Sequence, residues 1–196
     1  MSSSSGSGAT AERPRVIIFG SGNTFYGDDG IGYCLVKALE KCARINGASL
    51  VAVQALNPGH SALLEGYDYV VFIDAFYEPD MPGGSDIAIL DLDPSVLDEK
   101  DAVAVIDSIE PHSLDPLKLL VLARAAGIFS GKGVLIGVRP ERVEFNKPLT
   151  GSVIRRGVKA VKALSEVLGR LGIAPVIEEE CVERFLHSVC RGPLLD

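Results

Sequence analysis

Three short runs, RVIIFG (15–20), YVVFIDA (69–75) and GVLIGV (133–138), are apolar at nearly every position. A strand with one wet face alternates apolar and polar residues. A continuous run instead marks a strand covered on both sides, as in a parallel sheet packed between helices. The segments between the runs carry the period of a helix. Ile31, Cys34, Leu35, Ala38, Leu39, Cys42 and Ile45 form one apolar stripe over 30–46, closed by Asn46-Gly47. Residues 49–56 (SLVAVQAL) and 86–91 (DIAILD) read as further strands, and 61–65 as a short helix after the turn Asn57-Pro58-Gly59. Helices are expected over 113–127, with Ser113 and Asp115 as caps, over 149–171, opened by Thr150 or Ser152, and over 178–190. The alternation predicts a three-layer α/β/α domain. Its core is a twisted, mostly parallel sheet of about five strands with helices on both faces.

The 196 residues suit one such domain, expected over 14–196 behind a Ser/Gly-rich tail at 1–13. A 47% hydrophobic content and a mean hydropathy of +0.26 fit a buried core rather than a disordered chain. The net charge of −7 argues against a nucleic-acid partner. No apolar run is long enough to cross a bilayer, and no charged start precedes an apolar core, so a cytoplasmic, membrane-free protein is expected. The four cysteines form no CxxC pair. Cys34 and Cys42 share the apolar helix stripe and read as small buried hydrophobes; Cys181 and Cys190 are open to a disulfide, with thiols the favoured expectation.

The loop GSGNTFYGDDGIG (20–32) follows the first strand and leads into the first helix. Its glycines permit sharp turns and close backbone approach. It is not a phosphate cradle: Phe25 stands where GxGxxG needs its third glycine, and no Lys-Ser/Thr pair follows. Two acids, Asp28 and Asp29, would repel a phosphate. In a parallel sheet the loops after the strands converge on one edge. Asp28 and Asp29 would then meet Asp74, which ends the YVVFIDA strand, and His112 of PHSLD (111–115). Carboxylates with an imidazole make a candidate divalent-metal site. Each residue also has a plainer reading. Asp28 can cap the helix, Asp74 can satisfy a turn, and Asn23 can either bond a substrate backbone or fix its own loop. His60 is a weaker candidate, and His187 reads as packed or exposed. Glu78, Asp80 and DLDPSVLDEKD (91–101) read as solvated loop acids, and Arg139 either orients a carboxylate or faces solvent.

The loop GSGNTFYGDDGIG, the strand end FIDA, the PHSLD loop and the later VLIGVRPERVEF occur in that order. Together they resemble the hydrogenase maturation endopeptidases, over about residues 15–170. These proteases trim the C-terminus of the NiFe-hydrogenase large subunit. The resemblance places metal ligands on Asp29, Asp74 and His112, with Asp28 as a neighbouring base or helix cap and Gly22, Asn23 and Gly27 beside the substrate. It implies recognition of nickel already loaded into the precursor of the large subunit, with a divalent metal (Ni, or Cd or Zn as surrogate) at the site. It further implies cleavage of the peptide bond beyond the subunit's last cysteine motif, and a monomeric protein. The chain departs from the family in three places. Asp29 stands where many members have Glu, the stretch QALNPGHS (54–61) replaces an Asp-Gly-Gly turn, and 178–196 has no counterpart. The alternative is a metal-dependent chaperone or binding module of the same fold that does not cleave. No GxSxG elbow or HExxH motif supports another hydrolase class.

Overall fold

The computed structural model describes residues 13–77, 84–109 and 114–190. The elements run β1 (Val16–Ser21), a 3-10 turn (Thr24–Gly30), α1 (Ile31–Cys42), β2 (Ala43–Arg44), β3 (Ala48–Val53), a 3-10 turn (Pro58–Leu64), β4 (Tyr69–Ala75) and β5 (Ile87–Leu92). They continue with α2 (Glu99–Asp107), α3 (Pro116–Ala125), β6 (Lys132–Val138), α4 (Gly151–Arg170), β7 (Val176–Ile177) and α5 (Glu179–Ser188). The main sheet has five strands in the order β3-β1-β4-β6-β5. β3, β1, β4 and β6 are parallel, and β5 pairs antiparallel with β6. The expected mostly parallel α/β/α sheet is therefore present, with one reversed edge strand.

The two faces bury different side chains, because successive residues of a strand point to opposite sides. Val16, Ile18, Val71, Ile73, Val134 and Ile136 pack under α1, α4 and α5. Ile17, Phe19, Val70, Phe72 and Leu135 pack with Leu119, Leu120 and Ala123 of α3. Phe19 stacks on Phe72 across β1 and β4 at 5.6 Å. These continuous runs are buried on both sides, which is why they lack alternation.

Several local expectations change. The first helix stops at Cys42 rather than Asn46, because Ala43 turns extended (φ −135°) and pairs with Ile177. The acid-rich stretch 91–101 is not all loop: Asp98 accepts from the Asp101 N–H at 2.8 Å and starts α2. Asp115 caps α3 by accepting from the Lys118 N–H at 2.9 Å. Thr150 caps α4, its hydroxyl accepting from the Val153 N–H. The cysteines are not thiols: Cys34 bonds Cys190 and Cys42 bonds Cys181, fastening α5 to both ends of α1. Val182 and Leu186 of α5 are buried between the bridges. The tail (1–12), Glu78, Asp80, His112 and Ser113 lie outside the described residues.

Candidate functional site

The strand order reverses beside β1: β3, next of the main sheet in sequence, lies on one side of it, and β4 on the other. At such a switch point the loops after two parallel strands part and leave a crevice at their carboxyl ends. Here the crevice is a cavity of about 620 Å³. Ser21, Gly22, Asp29, Asp74 and Tyr77 line it near the strand ends, and six leucines, with the polar Gln54 and Asp115 among them, line much of the remainder.

Asp74 stands one residue before the end of β4 and faces the α3 side, on the parity of Phe72 and Val70. Ser21, which ends β1, donates from Oγ to Asp74 Oδ2 at 2.7 Å. The Ala75 N–H donates to Oδ1 at 2.8 Å. Burial pushes the Asp74 carboxyl up to about 7, against the two hydrogen bonds and with help from the charge of Asp29. A carboxyl so placed titrates near neutral pH, where its protonated and ionised forms are both populated.

Asp29 comes from the 3-10 turn ahead of α1. Its Oδ2 accepts from the Asn23 N–H at 3.0 Å, and its Oδ1 accepts from the Tyr77 hydroxyl at 3.0 Å. Gly22 makes this fit possible. It sits at φ +141°, and a Cβ there would lie 2.0 Å from the Asp29 carbonyl oxygen. Gly32 is equally confined: a Cβ would lie 2.1 Å from Ile73 O and 2.3 Å from Ser21 O. The glycines thus admit the chain's own backbone and bring the start of α1 down onto the switch point. The Tyr77 hydroxyl is raised above the ordinary phenol by burial first, then by the charge and hydrogen bond of Asp29, and stays a neutral donor.

Asp28 points elsewhere, and its reading as a catalytic neighbour is corrected. It is fully buried and lines no part of the cavity. Its carboxylate accepts from the N–H groups of Glu141, Arg142 and Thr150 at 2.9, 2.9 and 2.6 Å, and from the Thr150 hydroxyl at 2.8 Å. With four donors, three of them on Oδ2, it clamps the loop after β6 to the start of α4, away from the cavity. Gly27 (φ +62°) lies against the same loop, its Cβ position 3.2 Å from Arg142 O, and not at the cavity. Asn23 fixes its own loop, its Oδ1 accepting from the Phe25 N–H at 3.0 Å.

His60 is also absent from the cavity lining. It packs against Phe19, and its Nδ1 accepts from the Asn57 N–H, closing a capping box. His187 lies exposed on α5. The Arg139 carbonyl accepts from Arg156, and its N–H donates to Asp86 O, a tie between β5 and α4. Among the described residues no cluster of three or more His, Cys, Asp or Glu is gathered. Asp29 and Asp74 are the pair that comes together, and His112 falls outside those residues. Sequence reasoning missed Ser21 and Tyr77. Ser21 was visible as the polar end of an apolar run; Tyr77 carried no sequence signal.

A doubly wound sheet with two carboxylates converging at its switch point defines a class of α/β protein whose ligand enters at the carboxyl edge. No protein-family model and no curated protein matches the sequence. Solved structures do match. The hydrogenase maturating endopeptidase HybD from E. coli superposes with a TM-score of 0.67 at 24% identity, over 85% of this chain and 99% of that one. A hydrogenase 2 maturation peptidase from Thaumarchaeota archaeon SCGC_AB-539-E09 gives 0.57 at 25% identity, over 79% and 98%. The NiFe-hydrogenase maturation protease HycI from Thermococcus kodakarensis KOD1 gives 0.58 at 19% identity, over 81% and 95%. The chain has the fold of these proteins across nearly their whole length.

Proposed function

We propose that this protein is a hydrogenase maturation endopeptidase that removes the C-terminal extension from the nickel-loaded precursor of a NiFe-hydrogenase large subunit. The observation that carries the reading is the meeting of Asp29 and Asp74 in one cavity at the switch point of a fold shared with such proteases. Two carboxylates offer hard oxygen ligands to a divalent cation. His112, placed by its sequence motif, would add the nitrogen. The nickel is part of the substrate: Asp29 and Asp74 would receive it, with Asp74 giving up any proton it carries, and the leucines of the cavity would hold the chain beyond it. A bound divalent cation polarises a peptide carbonyl or supplies hydroxide at neutral pH. The protein's own part is to fix the carboxylates and hold that segment.

The protein is proposed to act as a cytoplasmic monomer. Among the described residues no helix is long and apolar enough to cross a membrane. Disulfides persist in oxidising compartments and, inside cells, chiefly in hyperthermophiles, so the two bridges weigh against an ordinary reducing cytosol. The test is incubation of nickel-loaded large-subunit precursors with the wild-type protein and with His112→Ala and Asp74→Ala. Loss of a C-terminal peptide with the wild type alone supports the reading. Nickel-dependent capture of precursor without cleavage replaces it with the chaperone reading, and neither cleavage nor capture sinks both.

A further inference from the structure

Tyr77 is not part of the resemblance, and nothing in the core requires it. Its side chain is 55% exposed, yet its hydroxyl is spent on one partner, Asp29 Oδ1, at 3.0 Å. The residue before it is anchored to the sheet. The neighbouring Phe76 N–H donates to Val138 O at 2.9 Å, carrying the β4–β6 ladder one residue past Ala75. The Phe76 side chain fills the space above Gly137, where a Cβ would lie 2.6 Å from it. Tyr77 therefore leaves the sheet edge from a fixed point, three residues after Asp74, and reaches across the crevice to the other carboxylate. The Asn23 N–H holds the second oxygen of Asp29. Each oxygen keeps a lone pair free, and the two donors fix the plane of the carboxylate. Ser21 and the Ala75 N–H do the same for Asp74.

We infer that Tyr77 is a positioning residue: its hydroxyl orients Asp29 toward the cation that Asp29 and Asp74 receive together. The inference rests on the reading of Asp29 as a cation ligand. Asp29 has a short arm on a 3-10 turn, so a partner that fixes its rotamer matters more than it would for a ligand locked by packing. Groups that orient a metal ligand in this way typically contribute 10- to 100-fold in metal affinity. A purely structural role for a half-exposed phenol predicts no such loss.

The experiment measures binding of Cd2+ and Ni2+ to the purified full chain by titration calorimetry, for wild type, Tyr77→Phe, Tyr67→Phe and Asp29→Ala. Unfolding midpoints are recorded beside it. Tyr67→Phe is the control, since it deletes a hydroxyl that bonds Ser49 at 2.7 Å away from the cavity. The expected result is a 10- to 100-fold weaker cation affinity in Tyr77→Phe at an unchanged midpoint, with Tyr67→Phe like wild type. Tyr77→Phe binding as tightly as wild type overturns the inference and leaves the Asp29 reading standing. Binding that survives in Asp29→Ala overturns the ligand reading itself, and the inference with it. With precursor as substrate, an equal kcat and KM for wild type and Tyr77→Phe would also overturn the inference.

Discussion

Replacing Asp74 by Asn should stabilise the free protein above neutral pH while abolishing its function. The Asp74 carboxyl is pushed to about 7 in the folded chain, from an ordinary 3.8. Between those values the folded state keeps a proton that the unfolded chain has lost. The folded state then binds more protons, so stability falls as pH rises through that window, by up to about 1.4 kcal/mol per pH unit. Above about 7 the loss is complete, roughly three pK units or about 4 kcal/mol at most. Water in the open cavity reduces this toward about 2 kcal/mol. Asn reproduces the protonated carboxyl: its Oδ1 takes the Ala75 N–H, and its Nδ2 donates to the Ser21 hydroxyl, which then turns to the cavity. It therefore keeps the hydrogen bonds and never ionises.

The assay is urea unfolding of wild type and Asp74→Asn at several pH values between 4 and 8.5, read as the difference between the two proteins. Other titrating groups are common to both and cancel. The difference should be near zero at pH 4, widen through pH 5 and 6, and level off above 7 with Asn ahead by about 2 to 4 kcal/mol. A difference that stays flat with pH would refute the reasoning, because it would mean the carboxyl ionises alike in both states. The gain in stability with loss of cation binding is the trade expected of a site that holds a destabilised group for use.

Three further outcomes follow from the packing. Asp28→Ala leaves three part-buried N–H donors of Glu141, Arg142 and Thr150 without their acceptor, and should cost roughly 2–4 kcal/mol in unfolding free energy; an exposed-site cost below about 1 would contradict the clamp. Gly32→Ala puts a methyl against two carbonyl oxygens at 2.1 and 2.3 Å and should lower stability by roughly 3 kcal/mol or more, whereas Gly169→Ala, on the open face of α4 with nothing within 4 Å, should be neutral or slightly stabilising by melting temperature. Full reduction of both disulfides should cost roughly 4 to 8 kcal/mol, less than two independent long loops, because once Cys34–Cys190 is closed the second bridge closes only a short ring; an unchanged melting temperature with four titratable thiols would refute it.

What a reader of the sequence can see here depends on how far apart the interacting parts lie. Strands β1, β4 and β6 are legible because burial on both faces is written into consecutive residues, and α1 and α4 because one apolar stripe suffices. The direction of β5 is not: DIAILD reads the same either way, and only its pairing with β6 sets it. α2 was obscured by acids, although Asp98 ahead of EKDAVAVID is a capped start. The disulfide partners are 156 and 139 residues apart, beyond the reach of any spacing argument. The same distance rule divides the acid pair. Asp28 and Asp29 are neighbours of one chemistry, yet the backbone turn sends one to donors 113–122 residues away and the other to the crevice beside Asp74. Either acid suited a ligand by residue type. What separates them is that Asp28 accepts from four protein donors away from the cavity, whereas Asp29 accepts from two and lines it. A carboxylate held by four donors of its own chain away from any cavity serves the fold; one held by two donors on a cavity wall is set to bind something else.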